Sequence, residues 1–121
     1  MAAHANLNQR GEVVQNQVSV SCRGERGALN FRLNRSTQVA VFSDKSALFR
    51  AELPMGRPIA YASSQNSLRI TYDWYFTAEY TLTFAKPVNA LRAGESVAMS
   101  LTGDDGDGFI FNDVPFRCTI R

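Results

Sequence analysis

Histidine is almost absent from this chain. Its one copy, His4, lies in an Ala-rich start, "MAAHANLNQ", so residues 6–121 offer no imidazole for general-base work, for a Ser or Cys triad, or for a zinc site. Cysteine is scarce as well. The two residues, Cys22 and Cys118, have no C-x-x-C spacing, which excludes the usual zinc and thioredoxin-type arrangements. No glycine loop of phosphate-binding spacing opens a helix, and nucleotide enzymes drop out with it. No apolar run approaches the roughly 18 residues of a transmembrane segment. Net charge is small, 13 basic against 11 acidic residues, and the arginines are scattered, which is not the footprint of a nucleic-acid binder.

What is present is 121 residues with 45% hydrophobic and 20% charged content, enough for one domain around one core. Ala3 and Ala5 flank His4 in the small-x-small arrangement that signal peptidases accept. Residues 1–5 are therefore expected to be a signal-peptide remnant, with a disordered terminus as the alternative, and residues 6–121 a single domain. In an exported chain two cysteines imply one disulfide, Cys22–Cys118, joining the first and last strands. Two buried free thiols would be the intracellular alternative. The expected location is outside the cytoplasm of a bacterium: periplasmic, cell-surface or extracellular.

Apolar residues recur with period two. Val18, Val20 and Cys22 alternate with serines; Leu29, Phe31 and Leu33 alternate with Asn30 and Arg32. The pattern returns at Val39 and Val41, at Leu68, Ile70, Tyr72, Trp74 and Phe76, at Tyr80, Leu82 and Phe84, at Val97, Met99 and Leu101, and at Val114, Phe116, Cys118 and Ile120. Each set predicts a half-buried antiparallel strand. Turn signals separate them: "CRGERGAL", "LNRST", "AKPVNALRAGES" and "GDDGDG". Residues 44–53 fit a short helix ended by Pro54 or a strand paired with residues 37–42. Residues 54–66 read as an irregular crossing between sheets.

Seven or eight strands predict an all-β fold, an antiparallel β-sandwich of immunoglobulin-like or jelly-roll-like architecture, with a small closed barrel as the lesser alternative. Trp74 invites comparison with the tryptophan that packs on the immunoglobulin disulfide. The cysteines, however, lie 96 positions apart, and Phe116 rather than Tyr stands two before the second, so only the architecture is claimed.

Three stretches could carry function. In "GDDGDG", an EF-hand register puts Gly103 at the first ligand place and Val114 at the twelfth, which rejects that motif. A looser calcium site from Asp104, Asp105 and Asp107, with Asn112 or Asp113, is left as a weak candidate beside a plain hairpin turn. Asp73 and Glu79 are the only carboxylates worth considering for glycoside hydrolysis, and nothing around them marks a catalytic pair. In "YDWYFTAEY", Tyr72, Trp74 and Phe76 are assigned to the core and Tyr75 to the outside, where Arg69, Thr71, Arg117 and Arg121 complete a possible binding surface. The expected function is a non-catalytic binding protein for a protein or glycan partner, with no cofactor. A carbohydrate-active module and a calcium-dependent adhesion domain are the alternatives. Exposed rings in a row would favour sugar; buried rings beside a flat Arg/Thr face would favour protein.

Overall fold

A computed structural model of the chain describes residues 6–7, 13–14, 16–43 and 53–121. The proposed signal remnant at 1–5 and the helix-or-strand segment at 44–52 lie outside the described residues. A two-stranded ladder joins β1 (Asn6–Leu7) and β2 (Val13–Val14). Everything else belongs to one antiparallel sheet of nine strands: β3 (Gln17–Gly24), β4 (Gly27–Asn34), β5 (Val39–Phe42), β6 (Pro58–Ala60), β7 (Ala62–Ser64), β8 (Ser67–Asp73), β9 (Thr77–Phe84), β10 (Ser96–Asp104) and β11 (Ile110–Ile120).

The strand order, β6-β5-β4-β3-β11-β10-β9-β8-β7, corrects the sandwich expectation. From β3 to β6 and from β7 to β11 each strand pairs with its sequence neighbour, and the first long strand pairs with the last. The two edges, β6 and β7, are separated only by Tyr61. Residues 58–64 thus form one bent stretch, pairing with β5 through its first half and with β8 through its second. The sheet is nearly closed and barrel-like. The stretch expected to cross between sheets is the seam that brings the edges together. Alternation alone cannot separate the two architectures, because a sandwich strand and a barrel strand both show one apolar face.

Cys22 faces Cys118 across the β3–β11 ladder and is bonded to it, so the disulfide sits where the chain's first and last long strands meet. The interior is filled by Leu29, Phe31, Leu33, Phe42, Tyr80, Leu82, Phe84 and Phe111, all at or below 2% exposure. These side chains form a packed core between the strands. Phe116 and Ile120 are also inside, while Arg69, Arg117 and Arg121 point out, as the alternation predicts for Leu68 and Ile70 of β8 and for β9 to β11.

Two segments differ from the expected pattern. In β5 the inward residues are Ala40 and Phe42, with Val39 and Val41 half-buried outside. "VAVF" is apolar at every position, and the ring of Phe42, 5.0 Å from that of Phe31, sets the face by bulk. In β8 the strand stops at Asp73, and Trp74 N–H donates to the Phe76 carbonyl in a tight reversal. Trp74 and Phe76, expected in the core, are therefore 38% and 42% exposed.

Candidate binding surface at the hairpin end

Strand direction places the β3–β4, β8–β9 and β10–β11 hairpin tips at one end of the barrel. There the chain leaves uncovered all the large exposed apolar side chains among the described residues: Trp74, Tyr75 at 88%, Phe76, and Ile110 at 67%. The rings are not loose. Trp74 and Phe76 meet edge to face at 5.3 Å, Tyr75 and Phe76 at 5.6 Å, and Trp74 Nε1 donates to the Asp105 carbonyl at 3.1 Å.

The β10–β11 turn supports this arrangement from below. Asp104 Oδ1 accepts from Gly106 N, and Asp105 Oδ1 accepts from Asp107 N at 2.8 Å and Phe109 N at 3.1 Å. These are Asx-type caps, the turn role expected of the Asp-Gly repeat. Asp105 is only 1% exposed, so its carboxylate holds the loop from inside. Gly106, at φ 80°, lies against the neighbouring hairpin so tightly that a Cβ there would fall 2.5 Å from the Thr77 carbonyl and 2.7 Å from Phe76 Cβ. Only glycine lets the two tips touch. Phe109 and Phe111 anchor the returning strand, and the Arg26 guanidinium lies over both rings at 5.7 and 5.4 Å.

Acid surrounds the rings. Asp73, which accepts from Thr77 Oγ1, and Glu79, Asp104 and Asp107 are all exposed at this end. Glu79 lies opposite Thr71 on one side and Asp104 on the other. Asp73 and Glu79 stand on the outer face of adjoining strands and do not face each other across a cleft. Among the described residues no three of His, Cys, Asp and Glu gather as a metal site.

The surface expected from sequence is only partly assembled. Arg69 and Thr71 share the outward face of β8, and Tyr75 caps that strand's turn. Arg117 lies on β11 and Arg121 directly follows it, three strand spacings away, about 14 Å. Ile110, Trp74 and Phe76 were not expected outside. One signal marks the turn: Asp73 is the sole turn-type residue in "YDWYFTAEY", and it caps the reversal.

Compared with protein-family models, with curated proteins and with solved structures, the chain matches none.

Proposed function

We propose that this chain is a small exported, non-catalytic binding domain that engages a protein partner through its hairpin end. The disulfide and the lack of any helix long and apolar enough to cross a membrane among the described residues are compatible with export. The observation that carries the reading is the gathering of Trp74, Tyr75, Phe76 and Ile110 at one end of an otherwise filled barrel. Isolated exposed apolar residues mean little, but aromatics clustered and held in place are where interface energy concentrates. The edge-to-face packing and the aliphatic Ile110 suit a protein surface better than a sugar ring, which stacks on open, coplanar faces. The acidic rim suits a partner with basic residues around its contact.

A glycan is the second reading, favoured by the open Tyr75 ring beside carboxylates able to accept from sugar hydroxyls. A photo-crosslinking phenylalanine analogue at position 75, used in the native organism, separates the two. One saturable protein adduct, competed by wild-type protein and lost with Trp74→Ala, supports the protein reading. Glycan-array binding that depends on Trp74, with no adduct, supports the sugar reading. Neither result would remove both.

A further inference from the structure

A second surface, on the side of the barrel, carries a different chemistry. Arg23 and Arg117 sit directly opposite each other on the β3–β11 ladder. Four residues down, Ser19 exchanges both backbone hydrogen bonds with Arg121 on one side and pairs with Arg32 of β4 on the other. The row Arg121–Ser19–Arg32 thus puts two guanidiniums either side of a serine. The two arginine rows are about 13 Å apart along the strands.

Between them the floor is polar: Ser21 Oγ donates to Asn30 Oδ1 at 2.6 Å, and Ser43 Oγ donates to the Asn30 carbonyl. An open depression of about 410 Å³ lies over Ser19, Ser21, Asn30, Arg32, Ser43 and Arg121. No acidic residue occurs in segments 19–23, 28–32 or 117–121. Glu25, two residues after Arg23, and Asp44, directly after Ser43, are the acidic residues nearest in sequence, and Asp113 is engaged with Thr102. Among the described residues Arg23, Arg32 and Arg121 make no side-chain hydrogen bond or ion pair, and Arg117 reaches only Ser96 Oγ at 3.0 Å.

Like charges directly opposite on a sheet destabilise it, so the Arg23–Arg117 pair carries a small cost that a bound anion would relieve. We infer that the β11–β3–β4 face is a binding site for a sulfated polysaccharide, with Arg32 and Arg121 gripping one sulfate group over Ser19 and Arg23 and Arg117 another. Guanidinium forks match oxyanions, and the serine and asparagine floor can hydrogen-bond sugar hydroxyls. A lipid surface would need exposed apolar side chains here, and a single-stranded nucleic acid would need aromatic rings to stack on. The large exposed rings and Ile110 are all at the hairpin end.

The test is titration of the intact protein with dextran sulfate, with neutral dextran, anionic phosphatidylglycerol vesicles and single-stranded DNA as competitors. The inference expects saturable binding to dextran sulfate only, a Kd at least tenfold weaker for Arg32→Gln/Arg121→Gln and for Arg23→Gln/Arg117→Gln, and an unchanged Kd for Trp74→Ala/Tyr75→Ala. It also expects Arg117→Gln alone to melt no lower than wild type, since it removes a like-charge pair. Kd values within twofold in both arginine variants, vesicles or DNA bound as tightly as dextran sulfate, or an Arg117→Gln protein that melts several degrees lower would overturn it. The hairpin-end reading fails separately, if the position-75 crosslinker gives no saturable adduct in the otherwise wild-type protein.

Discussion

The two ends of the barrel are finished in opposite ways. At the end away from the hairpin tips, Arg35 Nη1 donates to the carbonyls of Val88 and Leu91 at 2.9 and 2.8 Å, tying the β4–β5 turn to the short 3-10 helix Val88–Ala90. Tyr61, Val88 and Leu91 are buried there, and Val88 N donates to the Gln65 carbonyl, binding in the β7–β8 turn. Burial lowers the Arg35 pKa from its ordinary value, partly offset by Tyr61, and burial likewise raises that of the Tyr61 phenol. At the hairpin end, similar side chains stand in water. Among the described residues, turn and helix cover only the first of these ends. That contrast is what supports the proposal that the exposed rings are a contact surface.

The largest effects should come from what both ends depend on. Replacing Cys22 and Cys118 by alanine opens the ladder that closes the sheet, and chemical denaturation should show a loss of about 2–5 kcal/mol. Leu91→Ala, at the covered end, should cost about 2–5 kcal/mol, whereas Tyr75→Ala should fall within about 0.5 kcal/mol of wild type. Equal costs would break the comparison. Arg35→Ala removes the donor to two carbonyls and some packing, and about 1–3 kcal/mol should be lost in the same assay.

Much of this was legible in the residues. The alternation Tyr80, Leu82, Phe84 and Val114, Phe116, Cys118, Ile120 gave strand, face and exposure, because one bulky face excludes the slipped register. The run 39–42 was not legible, since valine on both sides of Ala40 leaves bulk to decide. Trp74 and Phe76 continued the period of Leu68 and Ile70 with no glycine or proline to interrupt it, and the one turn residue, Asp73, was outweighed. Closure was legible only in part: the expected Cys22–Cys118 disulfide joins the first and last long strands, but the pairing of residues 58–64 with both β5 and β8 leaves no mark in local alternation.

Smaller effects sharpen the account. Asp105→Asn/Asp107→Asn should leave stability nearly unchanged if these carboxylates serve the turn, because the amide oxygens keep accepting from Asp107 N and Phe109 N. Thermal melts in millimolar calcium and in chelator should coincide. A calcium-dependent rise of several degrees that the double variant abolishes would put the adhesion reading first. The smallest effect concerns pH. Glu95 accepts from Lys86 Nζ at 2.6 Å and from Arg92 N at 2.9 Å, and these bonds hold its carboxyl below the usual value of 4.5. A depressed folded-state pKa contributes fully above that value and is lost as pH falls through the lowered one. Glu95→Gln should therefore lower stability slightly at pH 7, flatten the acid limb, and converge with wild type once the pH falls below the lowered pKa.

The central claim is that the rings at the hairpin end serve a partner and not the fold. The most direct measurement compares stability and partner capture for one variant, Trp74→Ala/Ile110→Ala, with the crosslinker at position 75. The account predicts a denaturation midpoint close to that of the unaltered crosslinker protein together with loss of the saturable adduct. A midpoint that falls sharply while the adduct persists would contradict it.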